Sequence, residues 1–336
     1  MIYRFLRPLL FKLDAEFAHD FGLKCLDMAY KTGLLKYYSS DVVGTSKTVM
    51  NINFPSVVGL AAGLDKNGDF IQPLAALGFG FIEIGTVTPL PQAGNPTPRL
   101  FRLKKHKAII NRMGFNNKGV DYLVDKVKTS GFTGVLGINI GKNAATPIEN
   151  AIDDYLICLR KVYPHASYVT INISSPNTKN LRNLQQGFAF APLLKALKKE
   201  QSVLADKYQK YIPLVVKIAP DLHHEEVGVI AQILRDLNMD GVIATNTTID
   251  RNQVQDSEHC NESGGLSGAP LTKKSTDIIS QLKVHLDDEI PIIAAGGIMS
   301  AEDAQEKMNA GASLVQVYTG LIYEGPELIK HIRQAI

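Results

Sequence analysis

From about residue 55 the chain alternates between two patterns of apolar and polar positions. Short, largely β-branched apolar runs lie at 57–62, 79–85, 134–140, 168–173, 214–218, 241–245, 292–295 and 314–318. Longer stretches of helical character fall between them, near 67–77, 117–129, 148–162, 189–208, 223–237, 272–286, 301–310 and 326–335. The short runs read as strands. Their continuous apolar character is what strands buried on both faces need. Strands alternating with helices in this number predict an α/β fold, a (β/α)8 or TIM barrel. The rival, a doubly wound open sheet, should carry a GxGxxG turn after its first strand, and none follows residues 57–62.

The first 50 or so residues break the repeat. Leu6, Leu10, Leu13, Phe17 and Phe21 recur at spacings of three and four, which predicts an amphipathic N-terminal helical extension. Pro8 suits the first turn of one helix, and Asp14 would cap a second running to about Lys31. Arg4, Arg7, Lys12, Lys24, Lys31 and Lys36 accompany the stripe. It reads either as a helical pair docked on the barrel, closing its bottom, or as an element lying on an anionic membrane surface. The domain division expected is 1–45 for the extension and 46–336 for the barrel.

Composition narrows the function classes. Lys and Arg number 36 against 33 Asp and Glu, and this net charge of +3 leaves no nucleic-acid footprint. Cys25, Cys158 and Cys260 are far apart and form no metal-ligand spacing, so no metal site is expected and a reducing, cytosolic setting fits. No run approaches the length of a transmembrane helix, and Arg4, Arg7, Pro8, Lys12 and Asp14 interrupt any signal-peptide core.

In a barrel the chemistry sits where strands end. Those ends carry amides and hydroxyls: Thr86, Asn139, Asn172, Ser175, Asn177, Thr245 and Asn246, with Asn111 from an upstream loop. Carboxylates are nearly absent, so neither a glycosidase pair nor a divalent-metal cluster is present. Such a lining suits a planar, amide-bearing ligand, although any single Asn can equally serve a turn or cap. Gly296-Gly297 and Thr319-Gly320 follow the last two strands, where barrels commonly hold a phosphate; simple strand-to-helix turning is the alternative. Lys217 lies inside the apolar run VVKIA and needs a reason to be buried, either a negatively charged cofactor or pairing with a buried acid such as Glu83. The polar segment 178–187 reads as a lid or as an ordinary surface loop, and RLKKHK at 102–107 as a solvated face or a contact for lipid headgroups.

The motifs AAGLDKN, INRMGFNN, NISSPNT, VKIAPD, GLSG and AGGI, in this order, resemble the quinone-dependent (class 2) dihydroorotate dehydrogenases over essentially the whole chain. Residue types and length look most like the enterobacterial form. The resemblance implies FMN at the strand ends, oxidation of (S)-dihydroorotate to orotate in pyrimidine biosynthesis, and electron delivery to a membrane quinone, ubiquinone or menaquinone. It implies a peripheral location on the cytoplasmic face of the inner membrane, with no partner protein and no nucleic acid. Serine where class 1 relatives carry cysteine makes Ser175 the base, with Thr178 its relay partner through a water. FMN would be held by Ala62, Gly63, Lys66, Thr86, Asn139, Asn172, Lys217, Thr245, Gly268, Gly297, Tyr318 and Thr319. Substrate would meet Lys66, Asn111, Arg112, Met113, Gly114, Phe115, Asn172, Asn177, Asn246 and Thr247, and quinone His19 and Arg102. The alternative function is a flavin-free barrel isomerase or lyase acting on a phosphorylated substrate through Lys217.

Overall fold

The structure is a computed structural model that describes residues 2–37, 45–178, 180–185 and 189–336. Its helices are α1 (Ile2–Leu10), α2 (Ala15–Lys31), α3 (Ile71–Ala75), α4 (Val120–Ser130), α5 (Ala151–Val162), α6 (Phe190–Tyr208), α7 (His224–Asp236), α8 (Thr272–Leu286), α9 (Ala301–Asn309), α10 (Thr319–Glu324) and α11 (Glu327–Ala335). Its strands are β1 (Lys47–Val49), β2 (Ile52–Phe54), β3 (Val58–Leu60), β4 (Phe81–Val87), β5 (Leu100–Leu103), β6 (Ala108–Asn111), β7 (Val135–Ile140), β8 (Tyr168–Asn172), β9 (Leu214–Ile218), β10 (Gly241–Ala244), β11 (Gly265–Gly268), β12 (Ile292–Ala295) and β13 (Leu314–Val317). Strands β3, β4, β7, β8, β9, β10, β12 and β13 pair in parallel and close on themselves, the predicted (β/α)8 barrel.

The barrel interior changes character along its axis. At the bottom, the hairpin β1–β2 inserts Phe54, whose ring meets Phe81 edge-on at 5.0 Å. Phe81 meets Tyr168 in turn at 6.4 Å. Both rings need glycine opposite: a Cβ on Gly59 would lie 2.3 Å from the Phe81 ring, and one on Gly137 2.3 Å from that of Tyr168. Above Tyr168 the core turns polar. Glu83 is fully buried and accepts hydrogen bonds from Asn139 Nδ2 at 2.8 Å, Tyr168 Oη at 2.9 Å and Gln316 Nε2 at 2.7 Å.

Several expectations need correction. The helix expected at 67–77 shrinks to α3, because the buried Asp65 carboxylate accepts from the N–H groups of Asn67, Gly68, Asp69 and Phe70 and wraps the preceding residues into a loop. Pro8 sits in the last turn of α1, not its first. Asp14 does cap α2, accepting from Glu16 and Phe17 N–H at 3.0 and 2.9 Å. The bottom of the barrel is closed by β1–β2, so the helical pair does not close it. That pair lies at the opposite end, beside the loops after β3 and β13. Tyr3 Oη donates to the Ile322 carbonyl at 2.6 Å, and Arg7 donates to that of Tyr323. Only Leu23 is buried among the described side chains of the pair, and much of its apolar stripe faces outward. An antiparallel sheet, β5–β6–β11, went unforeseen: RLKKHK forms the end of β5 and the turn into β6, so Arg102 and Leu103 are strand residues.

Candidate active site

A cavity of about 700 Å³ opens at the carboxyl ends of the barrel strands, between the βα loops, the β5–β6–β11 sheet and α2. It is lined by Ala62, Gly63, Lys66, Thr86, Asn172, Lys217, Thr245, Gly268, Gly297, Tyr318 and Thr319. Ser175, Asn111, Met113, Gly114, Phe115, Asn177, Asn246, Thr247 and His19 line it as well. Three expected residues stand apart from it. Asn139 is fully buried behind the wall. Arg112 turns away to pair with Glu262 at 2.5 Å. Arg102 donates to the carbonyls of Leu10 (3.0 Å) and Leu13, under the turn between α1 and α2, with its guanidinium over the Phe11 ring. These three side chains are not among those that line the cavity.

The wall on one side is a chain of amides and hydroxyls. Thr86 Oγ1 donates to Asn139 Oδ1 at 2.6 Å, and Asn172 Nδ2 donates to Thr86 Oγ1 at 2.9 Å. Asn139 in turn donates to Glu83, so the charge deep in the barrel fixes which way each amide faces. Tyr155 Oη holds the Asn172 carbonyl at 2.7 Å from behind. Farther round, Asn246 Nδ2 donates to Ser174 Oγ at 2.9 Å and Asn177 Nδ2 to Asn111 Oδ1 at 3.0 Å. Buried amides are oriented at a cost in satisfied partners, and here the partners are present. The result is a rigid set of donors and acceptors.

Lys66 and Lys217 are among the cations that line this cavity, and neither makes a hydrogen bond to the described residues. Lys217 makes no hydrogen bond or close ion pair among the described residues; Glu83 is bonded instead to Asn139, Tyr168 and Gln316. Burial lowers the Lys217 pKa, with the Glu83 charge opposing. Direct pairing with Glu83 therefore does not account for this lysine. Lys66, half-buried, also makes no hydrogen bond to the described residues; burial lowers its pKa to about 8, with Glu16 opposing. An unpaired buried ammonium such as that of Lys217 is costly, and an anionic ligand removes the cost.

Ser175 follows β8 and is buried, and its Oγ accepts from the Asn177 N–H at 3.2 Å. Three residues on, Thr178 Oγ1 is buried without a hydrogen-bond partner among the described residues. Of the segment 178–187, residues 179, 186 and 187 lie outside the described residues. Leu181, Leu184 and Gln185 are buried. Arg182 ties this segment to the Ser174 carbonyl at 3.0 Å, to Asp221 at 2.8 Å and to the Thr247 carbonyl at 2.7 Å. At the cavity mouth, the His19 pKa is lowered to about 4, chiefly by burial and then by Lys66, so its imidazole is neutral at pH 7. Tyr318 Oη reaches the Gly63 carbonyl at 3.4 Å, and burial raises its pKa to about 12.

Sequence reasoning missed some contributors. Glu83 was considered only as a partner for Lys217, yet it organises the amide wall. Gln316, in the run LVQV, carries the same signal that exposed Lys217: a polar residue inside a buried strand. Ser267, which accepts from Thr319 Oγ1 at 2.9 Å, sits in GLSG with no signal of its own. Arg99 lines the cavity and pairs with Glu16 of α2 at 2.6 Å, a contact that only the fold creates.

The family model described as "Dihydroorotate dehydrogenase" matches residues 45–336. "Dihydroorotate dehydrogenase (quinone)" of Nitrosomonas europaea is 61% identical over 98% of this chain and 96% of that protein. The protein of the same name from Acinetobacter baylyi is 57% identical over all of both chains. Among solved structures, that of DHODH from Eimeria tenella in complex with ferulenol superposes with a TM-score of 0.87 at 38% identity, covering 96% of this chain and 90% of that one. The flavin-free isomerase or lyase reading is thereby set aside. The chain belongs to the dihydroorotate dehydrogenase family, in its quinone-dependent class.

Proposed function

We propose that the protein oxidises dihydroorotate to orotate in its FMN-loaded cavity and passes the electrons to a membrane quinone. The observation that carries this reading is one cavity that joins a buried hydroxyl, Ser175, to an amide wall and two ammonium groups, Lys66 and Lys217, that make no hydrogen bond to the described residues. The residues fit FMN. Lys217 offers a positive charge for the side of the ring system where reduction adds negative charge. Thr86, Asn172 and Thr245 offer hydrogen bonds to its edges, with Asn139 fixing Thr86 from behind. Ala62 and Gly63 leave room for a flat ring, and Gly268, Gly297 and Thr319 offer a cradle for its phosphate. When bound, FMN supplies the acceptor for the C6 hydride.

The chain's own residues do the rest. Asn111, Asn172, Asn177 and Asn246 match the ring amides of dihydroorotate, and Lys66 matches its carboxylate. Met113, Gly114, Phe115 and Thr247 complete the wall around it, while Arg112 braces their loop through Glu262. Ser175 Oγ takes the C5 proton. A serine hydroxyl is a weak base, so it must hand its own proton on. Thr178 Oγ1, buried and without a hydrogen-bond partner among the described residues, would receive it through a water.

We divide the chain into a quinone- and membrane-associated extension, 1–45, and a catalytic barrel, 46–336. No described helix is long and apolar enough to cross a membrane. The outward apolar stripe of α1 and α2, with its basic residues, suits peripheral attachment to an anionic surface, which for a bacterial chain would be the cytoplasmic face of the cell membrane. His19 lies on the route from these helices to the cavity, and Arg102 holds the turn between them. The test is steady-state reduction of a ubiquinone or menaquinone analogue by dihydroorotate. Turnover that requires bound FMN supports the reading; no turnover by FMN-loaded protein overturns it.

A further inference from the structure

Lys307, on α9, is fully buried and does not line the cavity. A buried ammonium must place its three protons on acceptors. Lys307 Nζ donates to the Thr272 carbonyl at 2.6 Å, Ser275 Oγ at 2.6 Å and Thr276 Oγ1 at 2.5 Å, all at the start of α8. An ammonium accepts nothing, so each hydroxyl it touches must turn its own proton elsewhere. For Ser275 the acceptors in reach are the carbonyls of Gly296, at 2.8 Å, and Thr272, at 3.1 Å. That of Thr272 already receives Lys307 and, at 3.0 Å, Thr276 Oγ1. The Ser275 proton therefore goes to Gly296. Next to it, Thr272 Oγ1 donates to the Gly297 carbonyl at 2.6 Å.

Both carbonyls of the Gly296-Gly297 loop are thus drawn toward α8. In a trans peptide the C=O and the following N–H point in opposite directions. The N–H groups of Gly297 and Ile298 therefore point away from α8, toward the cavity that both residues line. Neither finds a protein acceptor among the described residues. The approach is close enough to demand glycine: a Cβ at Gly297 would lie 2.3 Å from the Thr272 Cα.

We propose that Lys307 is a positioning residue for phosphate recognition: through the hydroxyls of α8 it holds the Gly296-Gly297 loop in the arrangement that presents two N–H groups to the phosphate of FMN. The proposal rests on the FMN reading above. Burial lowers the Lys307 pKa to about 8, so it is protonated at neutral pH and adds a positive charge behind a site for an anion.

The experiment titrates the full-length apoprotein with FMN and with riboflavin, which has the same ring and no phosphate. Lys307→Met keeps most of the stem and removes the donors and the charge. Its Kd for FMN should rise at least ~10-fold with that for riboflavin unchanged, because only the phosphate contact is lost. Ser275→Ala, which keeps the Lys307 charge and frees the Gly296 carbonyl, should shift the same ratio in the same direction by less. An unchanged ratio of FMN to riboflavin affinity in these variants overturns the proposal, as does an equal loss for both ligands. Should Lys307→Met fail to fold, Ser275→Ala decides by the same ratio. Wild-type protein that binds FMN no better than riboflavin would remove the phosphate cradle itself, a different failure from that of Lys307.

Discussion

Replacing Phe5, Leu9 and Phe17 together by serine should detach the protein from lipid while sparing its chemistry. These side chains are 75%, 61% and 59% exposed, so little of the barrel rests on them. Full transfer of such a side chain out of water contributes about 1.5–3 kcal/mol. Scaled by these exposures, each contributes roughly 1–2 kcal/mol to lipid binding and the three together about 3–6 kcal/mol. At 1.4 kcal/mol per tenfold, partitioning onto anionic vesicles should fall by about two to four orders of magnitude. Co-sedimentation with vesicles measures this directly. The two half-reactions supply the second readout. Reduction by dihydroorotate should be unchanged, because the helices are anchored by Tyr3, Arg7 and the Arg99–Glu16 pair rather than by the substituted residues. Reoxidation by a long-chain quinone in vesicles should collapse, and a small water-soluble acceptor should then work better than the quinone. A triple variant that binds vesicles like its parent refutes the membrane reading. Equal damage to both half-reactions with a lowered Tm would make the stripe structural instead.

Three further outcomes follow from the site. Ser175→Ala should keep FMN yet slow flavin reduction by at least ~100-fold in stopped flow, and Ser175→Cys should retain some activity with a shifted pH profile; native-speed reduction by the alanine variant places the base elsewhere. Lys217→Ala should weaken FMN retention and lower the flavin potential by roughly 30–60 mV, the equivalent of losing one charged hydrogen bond for a two-electron couple; full occupancy with an unchanged potential removes Lys217 from the flavin site. Lys66 has its pKa lowered to about 8, so its cation is present below pH 8 and lost above it. The KM for dihydroorotate should therefore climb as pH rises through about 8, approaching tenfold per pH unit, and Lys66→Met should show a high KM without that rise.

The barrel was legible because its strands are buried on both faces and so appear as unbroken apolar runs. The β5–β6–β11 sheet was not. LFRL alternates in burial, and β11 joins β6 across more than 150 positions, a pairing no local pattern encodes. The α3 helix is shorter than its periodicity predicts because periodicity cannot see Asp65 gathering four backbone N–H groups. Among site residues, those at strand ends were readable from position and type. For Arg112 and Arg102 only the fold shows the partners of the long side chain: Glu262 for one, the Leu10 and Leu13 carbonyls for the other. Lys307 sits in AEDAQEKMN, a segment with the composition of a surface helix, and only packing against α8 buries it.

The central claim is that one cavity holds both an oxidising flavin and dihydroorotate against Ser175 and the amide wall. Anaerobic addition of dihydroorotate to the purified, FMN-loaded protein tests it in a single step. Bleaching of the flavin absorption near 450 nm, one equivalent of orotate per flavin, with colour returning on addition of quinone, is the expected result. A flavin that stays oxidised in the presence of excess dihydroorotate would contradict the account.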